Sequence, residues 1–139
     1  MPKLRLTDEN VEAIERAYAA WNEAGVDAFL EYWAENTEWR SVPGDPVYRD
    51  PMLGKDAVRA YLQDWLDTFE DFRVEPVELI EVGTGQVVGT LRYSGRARHS
   101  DVKVDSLFAA VFVIRHRQIV DGGEHETQAQ ALEAAGVSE

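Results

Sequence analysis

From Leu107 to Ile114 the chain reads Leu-Phe-Ala-Ala-Val-Phe-Val-Ile, without one polar residue, at the centre of a β-like stretch from Val102 to Ile119. A strand with one face in water alternates apolar and polar side chains. This one does not, so both of its faces must be covered. With amphipathic helices upstream, one cover is helical and the other is a second sheet or a second subunit. The implied architecture is a curved sheet around a helix-lined cavity.

The helices are written upstream. Val11, Ile14, Tyr18 and Trp21 recur at helical spacing, with Thr7 as capping hydroxyl and Gly25 as terminator. Asp27 is expected to cap a shorter helix carrying Phe29, Leu30 and Trp33. Thr37 to Val42 alternates as a short strand. Pro43 to Gly54 is rich in Pro, Gly and Asp, as a rim or lid would be. From Asp56 to Phe69 the periodicity is cleanest: Val58, Tyr61, Leu62, Trp65, Leu66 and Phe69 share one face. After Phe72 the pattern becomes β, with a change of parity at Pro76 that predicts a bulge or an edge. Gln128 to Ala135 is a helical stub. Helices first and antiparallel strands after them predict an α+β fold in a single domain spanning residues 1–139.

Charge and composition narrow the function. The 26 acidic residues outnumber the 14 basic ones, giving a net charge of −12. Such a field opposes nucleic acid and anionic lipid. No apolar run reaches the roughly 20 residues of a membrane span. The chain has no cysteine, which removes disulfides, thiol nucleophiles and thiolate metal sites. His99, His116 and His125 are dispersed, so no metal site is expected, and no Gly-rich phosphate loop follows a strand. A cytoplasmic protein without a cofactor is the expectation.

Three stretches together, AWNEAGVDAFLEYWAENTEWRSVPG, YRDPMLGKDAVRAYLQDWLDTFEDFRVEP and LFAAVFVIRHRQIV…QALEAAG, resemble the SnoaL-like branch of the nuclear transport factor 2-like superfamily, over about Val11 to Gly136. The resemblance implies a cone: a curved antiparallel sheet packed against three N-terminal helices and enclosing a pocket. It also implies a homodimer through the outer sheet face. Relatives include polyketide cyclases, ketosteroid isomerases and limonene-epoxide hydrolases, and fold alone does not choose among them.

The family's acids are missing where the resemblance would place them. Ser41 stands at the isomerase base, Ala17 (beside Tyr18) at the helix tyrosine, Ala110 at the third position, and Thr127 at the last-strand aspartate. His125 shares a strand side with Thr127 and is the expected base, with Glu124 and Glu126 turned away unless Gly122-Gly123 bulges. Arg92 either anchors a ligand or pairs with a surface acid. Asp105 is either a buried carboxylate or the point where a strand reaches solvent. Trp39, Tyr61, Trp65 and Phe112 are expected to line the pocket, with Tyr18 and Thr127 as further ligand contacts. Two functions remain open: a cofactor-independent acid–base catalyst acting on an apolar or polycyclic small molecule, or a binding and dimerisation module without catalysis.

Overall fold

The computed structural model describes residues 4–83 and 85–137. Helices α1 (Leu4–Ala24) and α2 (Val26–Leu30) lead into strand β1 (Trp33–Arg40), the two-residue β2 (Met52–Leu53) and helix α3 (Lys55–Thr68). Four longer strands follow: β3 (Phe69–Val82), β4 (Gln86–Ala97), β5 (Lys103–Arg115) and β6 (Gln118–His125). Helix α4 (Gln128–Ala134) closes the described chain. The strands form one curved, unclosed sheet in the order β2-β1-β6-β5-β4-β3. The α+β cone stands, with one refinement: β1 runs parallel to β6, so the sheet is mixed rather than wholly antiparallel. The chain crosses from one end of the sheet to the other through α3, which frees β1 from hairpin geometry.

Inward side chains of the sheet meet the three N-terminal helices. Ile14, Ala17, Tyr18 and Trp21 of α1, Phe29 and Leu30 of α2, and Val58, Tyr61 and Leu62 of α3 share one core with Val87, Leu91, Ala110, Phe112, Ile114 and Ile119. The outward side of the apolar run is covered from within the chain. Ala109 and Val111 pack with Val88 against Ala131 of α4, and Leu132 and Ala135 rest on the same cluster. The cover that the run demanded comes there from the chain's own C-terminal helix. Leu107, beyond the reach of α4, stays exposed.

Several boundaries differ from the sequence reading. Helix α1 starts at Leu4, so Thr7 lies inside it; Leu4-Arg5-Leu6 contains no helix breaker. Gly25, at φ +98°, caps α2, which puts Asp27 in the first turn. Trp33 opens β1 instead of extending α2. The parity change at Pro76 is a register shift between Pro76 and Glu78, on the edge strand β3.

The β5–β6 hairpin pairs Arg115 with Gln118, leaving His116 and Arg117 as a two-residue turn at φ +53° and +64°. Both lie in the left-handed region, where Asn-Gly is preferred and a side chain with a Cβ is strained. Replacing His116-Arg117 by Asn-Gly should therefore stabilise the protein by about 1 kcal/mol, read as a higher denaturant midpoint at unchanged m-value.

Candidate functional site

Between the helices and the inner sheet face lies a cavity of about 520 Å³. Helix α1 lends it Tyr18 and Trp21; α3 lends Tyr61, Leu62 and Trp65; the strands contribute Phe72, Val74, Tyr93, Phe108 and Glu124. The segment from Ser41 to Pro46 forms its rim.

Glu124 is the polar centre. Its cross-strand partner is Ala110, so its side chain enters the cone beside the position where the resemblance implied a missing acid. The Trp39 indole Nε1–H donates to Oε2 at 2.9 Å, and the Tyr61 hydroxyl donates to Oε1 at 2.7 Å. Both donors favour the ionised form, yet burial outweighs them, and the negative charge of Asp45 adds to it. The Glu124 carboxyl is pushed up to about 7. Burial, and then the charge of Glu124, raise the hydroxyls of Tyr18 and Tyr61 further still, so both stay protonated.

A second layer of polar contacts ties this acid to the rim. Ser41 Oγ lies 3.3 Å from the Tyr61 hydroxyl and donates to Asp45 Oδ2 at 2.6 Å. Asp45 Oδ1 accepts the backbone N–H groups of Val47 and Tyr48 at 2.8 and 3.0 Å. These donors, Ser41 first, hold the Asp45 carboxyl below its usual range. The Tyr48 ring stands edge-on to Tyr61 at 4.8 Å, and its hydroxyl, bonded to Asp64, is pushed up to about 12.

The local fold explains why Glu124 points inward. Ile114 pairs with Ile119, but Val113 pairs with Asp121, so Val120 is an extra residue on β6. That bulge turns over every side chain after it. Gly122 then falls opposite Phe112 and beside Trp39, whose rings stack 5.4 Å apart at an angle of 29°. At φ +146°, a Cβ on Gly122 would lie 2.0 Å from the Val111 carbonyl oxygen and 2.6 Å from Trp39 Cζ3. Only glycine lets Trp39 lie down far enough to reach Glu124.

The same bulge corrects the placement of His125. It pairs with Ala109 and so faces outward, into a shallow groove with Val111 and Ala134, where partial burial lowers its imidazole. Thr127 is likewise outside the cavity: it is the N-cap of α4, in a capping box with Gln130. Arg92 and Asp105 lie on the outer face, exposed, and grip each other through two hydrogen bonds of 2.7 and 2.5 Å. Asp105 is thereby held below the usual carboxylate range instead of being raised by burial. Their alternation sets them there, since both share the outward parity of Ala109. Of the expected lining residues, Tyr18, Tyr61 and Trp65 meet the cavity. Trp39 and Phe112 sit behind it, Phe112 fully buried and Trp39 reaching forward through its N–H.

Sequence reasoning tied the orientation of Glu124 to a bulge at Gly122-Gly123, and the bulge lies two positions earlier. A usable signal was present in the glycines: an inner face carrying Trp39 and Phe112 needs a residue without a Cβ opposite them. Among the described residues, no three His, Cys, Asp or Glu side chains gather in a way that could hold a metal ion. None of the described helices is long and apolar enough to cross a membrane.

Comparisons with known proteins agree with this fold. Bal32a from a soil-derived mobile gene cassette superposes with a TM-score of 0.74 at 21% identity, covering 92% of this chain and 96% of its own. An NTF2-like protein of unknown function from Burkholderia pseudomallei gives 0.73 at 20%, covering 90% and 95%. A putative SnoaL-like polyketide cyclase from Jannaschia gives 0.73 at 15%, covering 96% of both chains. At such identities these likenesses concern the fold alone. Among curated proteins, no sequence matches. The family model of the SnoaL-like domain matches residues 14–122, most of the chain, and Glu124 falls just past that stretch. The chain belongs to the SnoaL-like domain family.

Proposed function

We propose that this chain is a cofactor-independent acid–base catalyst of the cyclase or isomerase kind, working in the cytoplasm on a small, largely apolar ring compound. The observation that carries this reading is one carboxyl, held by Trp39 and Tyr61 at the floor of an aromatic cavity and pushed up to about 7 by its burial there. A group poised near the working pH is populated in both forms, which proton transfer requires in each direction. Ionised Glu124 removes a proton from a carbon or hydroxyl acid, and protonated Glu124 returns it elsewhere on the ring. The Tyr18 hydroxyl, kept neutral by burial, is available to donate to the oxyanion that forms, while the Tyr61 hydroxyl stays on the carboxylate. Trp39 fixes the carboxylate so that the oxygen shared with Tyr61 faces the ligand.

The test uses cyclic ketones in deuterated water, with mass spectrometry reading the exchange of α-hydrogens. The wild-type protein should exchange them, and Glu124→Gln should slow this by roughly 10²–10⁴-fold. Equal rates in the two proteins would remove Glu124 from the chemistry and favour a binding module. A side-chain carboxyl NMR titration gives the second readout: a Glu124 midpoint close to the ordinary 4.5, not the expected 7, would overturn the reading at its root.

A further inference from the structure

The cavity carries one sign of charge. Glu124, Asp45 and Glu126 are among its lining residues, and no Lys, Arg or His is, among the described residues. Aromatic rings follow one another around the rest of the wall. Trp21 lies 6.2 Å from Phe72, Phe72 5.6 Å from Trp65, Trp65 5.7 Å from Tyr93, and Tyr93 5.8 Å from Phe108, centroid to centroid. Ring faces attract cations through their quadrupole, most strongly where water is excluded. The Tyr18 side chain, only 5% exposed, lines the same cavity and makes no side-chain hydrogen bond among the described residues, which leaves its oxygen free for a ligand N–H. An anionic ligand would meet only repulsion here, and the net charge of −12 opposes its approach.

We infer that the cavity selects an organic cation, a protonated or quaternary amine on an apolar skeleton, set between the Glu124 carboxylate and the ring faces of Trp65, Phe72 and Tyr93. The inference rests on the proposed function's reading of this cavity as the working site, and it adds the substrate's charge. It also gives that charge a use. The groups facing Glu124 are Trp39 from β1, Tyr18 from α1, Tyr61 from α3 and Asp45 from the rim, none of them a cation. A bound ammonium ion supplies the missing positive charge and holds Glu124 in its basic form. The balance is simple: protonated Glu124 plus cation gives carboxylate–cation pair, with one proton released to the buffer.

Three near-isosteres test this on the full chain by tryptophan fluorescence and calorimetry: choline, the neutral 3,3-dimethylbutan-1-ol, and the anion 3,3-dimethylbutanoate. Choline should bind at least tenfold more tightly than the alcohol at pH 8, and the anion should not bind. Choline affinity should fall about tenfold from pH 8 to pH 6, because only ionised Glu124 pairs with it. Calorimetry in two buffers of different ionisation heat should show the released proton near pH 7. Glu124→Gln should flatten the pH dependence, while Phe72→Leu should weaken choline severalfold and leave that dependence in place. Equal affinity for choline and the alcohol, choline binding indifferent to pH, or no binding of choline would each overturn the cation inference. A Glu124 midpoint near 7 would survive those results, so the acid–base reading fails separately, by its own titration.

Discussion

At pH 8 the Glu124→Gln variant should be more stable than the wild-type protein by about 3 kcal/mol, and at pH 4 the two should be nearly equal. The direction follows from proton linkage. The carboxyl moves from 4.5 when exposed to about 7 in the fold, so between those values the folded state holds the proton more tightly than the unfolded chain does. Stability therefore falls as pH rises through that window and levels off above it. At about 1.4 kcal/mol per pH unit, the loss is roughly 3 kcal/mol. The amide removes this cost without orphaning a partner. Its oxygen accepts from Trp39, its NH₂ donates to the Tyr61 oxygen, and the Tyr61 proton turns to Ser41 Oγ, 3.3 Å away. Thermal unfolding at pH 8 should shift upward by on the order of 10 °C. A shift of the same size at pH 4 would show that packing, not ionisation, is responsible.

Gly122→Ala should be among the most damaging single substitutions in the chain, costing roughly 3 kcal/mol or more. The new Cβ would meet the Val111 carbonyl oxygen at 2.0 Å, and backbone in the middle of a sheet cannot give way as a flexible side-chain end does. The φ of +146° adds strain for any residue with a Cβ. In whatever fraction folds, Trp39 must lift, and Glu124 loses a donor that favours its ionised form. The carboxyl midpoint should then climb above 7. Gly123→Ala is the control. There the nearest atoms are Arg40 Cβ at 3.2 Å and the Arg40 carbonyl oxygen at 3.3 Å, a tight but adjustable fit. Denaturant titrations in which the two variants lost equal stability would contradict this account of the Trp39–Gly122 contact.

The elements whose signals are local were legible in the sequence. Helix α3 carries its apolar face at regular spacing, and Val58, Tyr61 and Leu62 are buried as that spacing requires. The shift at Pro76 was visible because proline interrupts a ladder wherever it stands. The unbroken run in β5 announced its covered inner face, made by α1 to α3; over Ala109 and Val111 the outer cover is α4, a helix and not the second sheet or subunit expected there. What depended on pairing across the chain was not legible. The parallel partnership of β1 and β6 is set by the route through α3, which no local pattern records. The exchange of His125 for Glu124 followed from an extra Val120, a residue of ordinary β character that looks the same inside a regular strand or a bulge. Arg92 and Asp105 could be read either way until the pairing of β4 with β5 brought them together on the outside.

The Val120 bulge makes strand register, not residue type, decide which side chain this cone presents to its contents. Were Val120 drawn into the ladder opposite Val113, His125 would fall opposite Phe108, and imidazole would replace carboxyl on the inner face with no change in the amino-acid sequence. The floor of such a scaffold can thus change by slippage as readily as by substitution, and counting alternate residues straight through Val120 puts the wrong side chain there.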